Sequence, residues 1–277
     1  MRDKLHTLKQ ELVDGLVALL QERIAKDKQA EAESFIRQFY ANVAPQDILT
    51  EEPEDLLGAA LSIWDIGKSR EPGKAKIRAY NPRFDSTGWQ SPHTVIEIVN
   101  DDMPFLVDSV TTALNGQDLT VHLVIHPILA VERSAKGKLQ KILAAEASSA
   151  GEIRESFMQL SISEQTSAEV LARIEQELQS VLEDVRSSVE DWRAMRQKVL
   201  DVVTEIGARN TPHNREEISE VIDFLRWIED NHFTFLGYRE LDYLGSGKNA
   251  RMDVVDGSGL GILRNPEVGV FDGLRNL

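Results

Sequence analysis

The chain has 277 residues, of which 42% are hydrophobic and 28% charged, a balance that excludes wholesale disorder and allows one large domain or two to three small ones. Its 46 acidic and 31 basic side chains give a formal net charge of −15, which disfavours nucleic acid and membrane surfaces as partners. With no cysteine, no signal peptide and no apolar run long enough to span a bilayer, it has no disulfides and is predicted to be cytoplasmic.

Three amphipathic helices open the chain, and together they predict a helical segment over residues 1–72. The first two repeat apolar residues at helical spacing across residues 5–43. The second is expected to end near Pro45, because a residue that precedes proline avoids helical geometry. The third begins around Thr50 and has Pro53 in its first turn. Proline is tolerated there because the backbone N–H groups of the first turn have no partner within the helix.

Residues 73–165 change to a β-rich pattern, which predicts an antiparallel sheet with packed helices. The predicted strands cover residues 76–80, 94–99, 119–131 and 157–163. A short helix is predicted between the second and third strands, from Pro104 to Asn115, and Gly116 closes it. The third strand gives the longest strand signal in the chain, because its apolar residues alternate over 13 positions.

The histidines of the third predicted strand do not indicate a metal site. His122 and His126 share one face of the strand, but four residues separate them by about 13 Å. Two ligands of one metal ion must converge within a few ångströms. We therefore predict no metal ligands, and we expect this polar face to lie toward solvent or another subunit.

A second helical segment is predicted over residues 166–231. A capping box at Thr166–Glu169 begins an apolar stripe that continues for about 40 residues. Three interpretations of it stay open: a break near Ser187–Ser188, a long hairpin, or a spacer. The next helix, from Pro212 to Asp230, is expected to turn five apolar residues inward: Ile218, Val221, Ile222, Leu225 and Ile228. Trp227, on the same helix, is expected to pack in a core.

The last segment, residues 232–277, returns to a β pattern. His232–Tyr238 is predicted to be a buried strand, and five glycines mark turns after it: Gly245, Gly247, Gly257, Gly259 and Gly261. The glycines of residues 257–261 lack the spacing of a dinucleotide-binding loop, and no helix is predicted after them. The pattern stops unfinished, so we expect the chain to end inside a domain.

One turn carries the candidate ligand site. It joins the second strand to the short helix and contributes six candidate residues: Asn100, Asp101, Asp102, Met103, Phe105 and Leu106. With Pro104 at the first helical position, free backbone N–H groups favour an anion such as the carboxylate of an amino acid. The two aspartates would bind its ammonium group. Alternatively, these aspartates only complement the helix dipole. No catalytic residues are predicted.

Five motifs closely resemble the amino-terminal region of the large bacterial NAD-specific glutamate dehydrogenases. They are IRAYNP at residues 77–82, HTVIEIVNDDMPFLVDSV at 93–110, LTVHLVIHPILAVER at 119–133, FLRWIEDNHFTFLGYRE at 224–240 and GLGILR at 259–264. The resemblance implies an α+β fold with an ACT-like domain at residues 73–165. It also implies that residues 232–277 begin a second, PAS-like regulatory module.

The resemblance also sets functional expectations. The parent enzyme would deaminate L-glutamate to 2-oxoglutarate with NAD in a downstream catalytic domain of the same chain. This chain would be non-catalytic and cofactor-free, would belong to a homo-oligomer, and would sense a small amino acid. The DMPFLV turn resembles the D-x-P-G-L-L turn of ACT domains, with Phe105 in place of glycine. Because its ring is expected to fill the pocket, an oligomerisation or interaction module without a ligand is the alternative. A free-standing enzyme is the least favoured hypothesis.

Overall fold

The structure is a computed structural model, and it describes residues 2–144, 152–208, 214–245 and 251–269. The chain divides into two units, Met1–Leu182 and Glu183–Leu277, called unit 1 and unit 2 below. Helices and antiparallel strands are mixed, which confirms the predicted α+β class.

Three helices begin unit 1, as predicted. They are α1 (Arg2–Arg23), α2 (Lys26–Ala41) and α3 (Pro53–Gly67), with a 3₁₀ turn at Pro45–Asp47. Proline is the first residue of α3, whereas α2 ends several residues earlier than predicted. Their apolar faces share one core, and the Tyr40 hydroxyl inside it donates a 2.7 Å hydrogen bond to the Leu56 carbonyl.

A six-stranded sheet packs against these helices. Its strands are β1 (Lys76–Tyr80), β2 (Thr94–Asp101), β3 (Val121–Ile125), β4 (Ile128–Arg133), β5 (Leu139–Ile142) and β6 (Ile153–Ile162), and two helices lie between them, α4 (Phe84–Thr87) and α5 (Leu106–Asn115). The order is β1-β2-β6-β4-β5, and β3 also pairs with β6. Because β2 and β3 are both antiparallel to β6, they flank it as a split β-α-β unit joined by α5.

The single long strand predicted over residues 119–131 is wrong. The segment forms two strands, β3 and β4, separated at His126–Pro127. Proline has no N–H to donate to a sheet ladder, so it interrupts the strand. The short elements α4 and β5 were not predicted.

Strand β2 is buried along both faces. Val95 and Val99 pack toward the helices α1–α3 and the loop beside them. Because side chains alternate along a strand, Ile96 and Ile98 lie on the opposite face, and both are buried. Burial on two faces explains why this segment is almost continuously apolar.

The long apolar stripe forms one helix, α6 (Ala168–Ala208). The alternatives of a break near Ser187–Ser188 and of a hairpin are therefore wrong. The Ser188 hydroxyl donates to the Asp184 carbonyl at 2.9 Å within the helix. Ile174 and Leu178 are buried in unit 1, and Met195 is buried in unit 2.

Unit 2 continues with short elements. They are α7 (Arg215–Trp227), a turn at Ile228–His232, the strands β7 (Gly237–Tyr238), β8 (Leu241–Leu244), β9 (Arg251–Val254) and β10 (Leu260–Gly261), and a 3₁₀ turn at Ile262–Arg264. The hairpin β8–β9 and the pair β7–β10 form separate two-stranded sheets.

Four predictions in unit 2 are wrong. Val221, expected to face inward, and Trp227, expected in a core, are both exposed. The helix ends at Trp227 rather than Asp230, and Asn231 adopts a left-handed conformation after it. The buried strand predicted over His232–Tyr238 shrinks to its last two residues, because Phe233 and Leu236 lie at the surface. The predicted helix start at Pro212, and Gly247, fall outside the described residues.

Candidate functional site

The predicted ligand-binding turn begins its helix two residues later than expected. Helix α5 starts at Leu106, and Pro104 lies in the turn before it. Phe105 caps the helix with a φ of 71°. This left-handed conformation departs from the helical path, so Pro104 cannot be the first helical residue.

The backbone at Phe105 explains why glycine stands at this position in the motif that the turn resembles. A left-handed conformation costs an L-amino acid about 1–2 kcal/mol, and glycine adopts it freely. The Phe105 side chain is 49% exposed, so the ring does not fill a pocket as expected. Beside it, Leu106 is buried and Met103 is half-buried.

Both aspartates of the turn lie against arginines. A carboxylate oxygen of Asp101 accepts a hydrogen bond from Arg70. The Asp102 carboxylate lies 3.6 Å from the Arg154 guanidinium. The backbone N–H of Asp102 donates a 2.9 Å hydrogen bond to the Arg154 carbonyl. Asn100, next to them, is buried. An ammonium group at this turn would compete with two guanidinium groups.

Asp101 belongs to a buried ion cluster, which consists of Arg70, Asp101, Arg133 and Glu155. The fully buried Glu155 lies 2.6 Å from each of the two guanidinium groups: Arg133 donates to both carboxylate oxygens, and Arg70 donates to one of them. Burial alone would lower the pKa of Arg70. Hydrogen bonds to Glu155 and Asp101, and the negative charges of these two groups, outweigh burial, so the pKa of Arg70 is raised. Arg133 also donates to the Gly67 carbonyl at 2.9 Å. The cluster thus joins the end of α3 to the sheet.

A cavity of about 310 Å³ lies elsewhere in unit 1. It opens between the start of α3, the loop of residues 89–93 and the strands β2, β3 and β6. Its apolar lining comes from Leu56, Val95, Leu123 and Ile125. Small-molecule sites are concave, largely apolar and equipped with a few polar groups, and this volume is large enough for an amino acid.

Two histidines line this cavity together. The rings of His93 and His122 stack with centroids 4.3 Å apart and an interplanar angle of 21°. Burial and the neighbouring His122 lower the pKa of His93, although Glu51 opposes the shift. Neutral His93 can therefore both donate and accept a hydrogen bond. The pairing joins residues 29 positions apart, so strand periodicity could not predict it.

The other histidine of the predicted polar face has a different role. His126 forms a 2.7 Å hydrogen bond with the Ser156 hydroxyl, and burial lowers its pKa. The described part of the chain contains no group of three or more histidine, aspartate or glutamate side chains placed to hold a metal ion.

Carboxylates and amides supply the remaining polar lining of the cavity. Asp47, Glu51 and Asp55 line its helical side, where Asp55 accepts a 2.9 Å hydrogen bond from the backbone N–H of Gln90. On the sheet side, buried Gln159 donates to the Ala59 carbonyl at 3.1 Å. The described lining residues include no lysine or arginine. The cavity therefore favours a positively charged group such as an ammonium.

The glycine segment of residues 257–261 does not fit a dinucleotide. A Cβ on Gly259 would lie 2.2 Å from the Leu263 carbonyl oxygen, and one on Gly261 would lie 2.1 Å from that of Leu236. These glycines allow the chain to pack against itself, and a 3₁₀ turn follows them instead of the helix that a dinucleotide loop requires.

None of the described helices combines the length and apolarity needed to cross a bilayer.

The family model "Glutamate dehydrogenase, ACT1 domain" matches residues 35–178. Two proteins named NAD-specific glutamate dehydrogenase are similar to most of the chain. The one from Halomonas elongata is 38% identical over 92% of this chain, and the one from Pseudomonas aeruginosa is 35% identical over 83%.

A third protein of that name, from Mycobacterium tuberculosis, is 27% identical over 76% of this chain. The matched region is a small part of each relative: it spans 16%, 14% and 13% of their lengths, in the same order.

Proposed function

The chain belongs to the NAD-specific glutamate dehydrogenase family and carries its ACT1 domain, and from this premise we propose that it is the non-catalytic, amino-terminal regulatory region of a much longer enzyme. In this proposal the deamination of L-glutamate with NAD takes place outside residues 1–277. The division into segments 1–72, 73–165, 166–231 and 232–277, the cytoplasmic location and the homo-oligomer are parts of the same proposal.

The regulatory role proposed for unit 1 is to bind a small amino acid. The cavity between α3 and the sheet supports it best, because carboxylates, two histidines and a buried amide surround an apolar floor. Asp47 and Glu51 would bind the ammonium group, and the histidine pair would orient the rest of the amino acid. The predicted site at the turn of residues 100–106 stays a prediction.

Calorimetric titration of the chain with the protein amino acids tests this role. We expect saturable binding of at least one amino acid below millimolar concentration. Glu51→Gln should weaken it about tenfold, because it removes one carboxylate near the ammonium group. Glu54→Gln is the matched control, since Glu54 lies three residues later in the first turn of α3, is exposed and does not line the cavity.

Two results would overturn this site. An absence of saturable binding at millimolar concentration would remove the sensing role. Binding that is lost in Asp102→Asn but unchanged in Glu51→Gln would move the site to the predicted turn.

The second candidate function is an interaction module that binds no ligand. The observation that favours it is the group of exposed aromatic side chains in unit 2. Such a module would bind a protein partner rather than an amino acid. Calorimetric titration with amino acids would then give no signal, whereas sedimentation would detect an assembly of protein chains.

A further inference from the structure

Unit 2 exposes a set of large apolar side chains along α7 and the segment after it. We call the set formed by Val221, Phe224, Trp227, Phe233 and Leu236 the aromatic surface. Each of these residues is between 46% and 55% exposed. A single exposed apolar residue is ordinary, but a contiguous group usually marks a contact with another molecule or segment.

The three rings of the aromatic surface touch one another. Those of Phe224 and Trp227 stack with centroids 6.1 Å apart, and Phe233 meets Trp227 edge-on at 5.9 Å. The rings therefore form one patch of surface. The other apolar residues of α7, Ile218, Ile222 and Leu225, are half-buried, so folding of unit 2 covers one side of the helix and leaves Val221, Phe224 and Trp227 exposed.

Local contacts hold the aromatic surface in shape. The His232 ring stacks on Trp227 at 4.5 Å and forms a 2.8 Å hydrogen bond with the Trp227 carbonyl. Asn231 turns the chain with a φ of 57°, a conformation that asparagine tolerates better than most residues. A preorganised surface loses little entropy when it binds.

The same surface is anchored within unit 2. The Arg196 guanidinium on α6 binds Glu229, with its Nε 2.8 Å from the carboxylate. This ion pair is half-buried, and it fixes the turn after α7 to α6. Phe224 and Trp227 are thus presented by a helix whose end is anchored, and Phe233 lies in the segment that follows.

Charge defines the kind of partner. Exposed acidic residues of α7 lie among the apolar ones, including Glu216, Glu220 and Asp223. They repel anionic lipid and nucleic acid. They complement lysine and arginine side chains at the edge of an apolar groove, as when an amphipathic helix docks with residues spaced three and four apart.

We propose that the aromatic surface docks into an apolar groove, bordered by lysine and arginine, on a part of the same longer polypeptide outside residues 1–277. The inference rests on the proposed function, in which this chain is one region of a long enzyme. Its relatives support that choice of partner, because the matched regions span only 16% and 14% of the two nearer sequences. Most of such a polypeptide is therefore available to cover the patch.

Photo-crosslinking in the full-length protein tests the docking. A photoreactive phenylalanine analogue replaces Phe224, and mass spectrometry identifies the peptide that it captures. We expect a crosslink to an apolar, lysine- or arginine-bearing peptide outside residues 1–277. Trp227→Asp should lower its yield about tenfold, because a charge would be buried in the groove. The analogue at Phe84, an exposed phenylalanine of unit 1, is the matched control.

Several outcomes would overturn the docking. Capture of residues 215–240 of a second copy would make the surface a dimer contact, and capture of unit 1 would make it internal to this chain. Capture of lipid would indicate a membrane surface, and a yield no higher than that at Phe84 would mean that nothing covers the patch. The intact mass of the cellular protein and the amino-acid titration test the proposed function separately. Failure of the docking proposal can therefore be distinguished from failure of the proposed function.

Discussion

The two units of this chain use their large apolar side chains in opposite ways. In unit 1, Phe35, Phe39 and Phe157 lie in the core with almost no exposure, and their rings contact one another. In unit 2, Phe224 and Phe233 are more than half exposed although their rings also contact a common neighbour, Trp227. Unit 1 is stabilised by its own apolar residues, whereas those of the aromatic surface are placed to contact something else.

The same substitution made in both units tests this contrast with the largest effect. Phe157→Ala should lower the free energy of unfolding by roughly 3–5 kcal/mol, because it leaves a cavity in a packed core. Phe224→Ala should change it by less than about 0.5 kcal/mol, because the ring is already largely solvated. Urea unfolding of this chain, followed by circular dichroism, measures both. Similar losses at both positions would erase the difference between the units.

The acidic partners of arginine should also differ between the units. Glu155→Gln should cost about 3 kcal/mol, because it leaves the buried guanidinium groups of Arg70 and Arg133 without their shared charge. Asp191→Asn in unit 2 should cost about 1 kcal/mol, since its partner Arg264 is 42% exposed and solvent screens the pair.

Chemical denaturation of the two variants beside the parent chain measures both losses. Glu164→Gln is the control in unit 1, because Glu164 and its partner Arg83 are both exposed. A Glu155 variant no less stable than the Glu164 variant would refute the structural role of the buried ion cluster.

A smaller effect is expected at the turn before α5. Phe105→Gly should raise the stability of unit 1 by about 0.5–1 kcal/mol, because glycine relieves the left-handed conformation at some cost in unfolded-state entropy. Phe84→Gly should act in the opposite direction, since Phe84 is also exposed but begins a short helix. Thermal melts of both variants decide the sign. A lower melting temperature for Phe105→Gly would mean that the ring stabilises the turn.

The smallest expected effect concerns pH. Burial lowers the pKa of His126 below its usual value of 6.5, so the folded state binds its proton less readily than the unfolded state does. Its contribution to stability is therefore present above pH 6.5 and is lost as the pH falls through the folded pKa. Urea midpoints at pH 7.5 and 5.5 should differ less in His126→Asn than in the parent chain.

In unit 2 the lowered pKa belongs to a carboxyl group, so the window differs. The hydrogen bond from Arg264 lowers the pKa of Asp191 below its usual value of 3.8. That contribution is present above pH 3.8 and is lost only as the pH falls further.

Equal pH dependence of His126→Asn and the parent chain between pH 7.5 and 5.5 would contradict the assignment to His126.

Sequence patterns predicted several elements of unit 1. The alternating and continuous apolar residues of β1 and β2, and proline at the start of α3, each depend on local geometry alone. The left-handed Phe105 was missed because phenylalanine carries no signal for it. The cavity beside His93 and His122 was missed because it depends on a long-range contact.

Errors in unit 2 have a different origin. The spacing of Ile218, Val221, Ile222 and Leu225 correctly indicates a helix with an apolar stripe, but it does not say which surface covers each residue. We interpreted these residues as facing inward, and Ile218, Ile222 and Leu225 are half-buried, but the structure exposes Val221. Trp227, which we expected in a core, is also exposed. An amphipathic pattern reports that a partner exists, and a partner can lie in another segment.

Hydrogen exchange in the full-length protein and in this chain alone tests the central claim most directly. The amides of β2, buried inside unit 1, should exchange equally slowly in both. Those of α7 should exchange at least about tenfold more slowly in the full-length protein, because docking of the aromatic surface suppresses local opening. Equal exchange of α7 in the two samples would contradict the account, since the aromatic surface would then have no partner in the full-length protein.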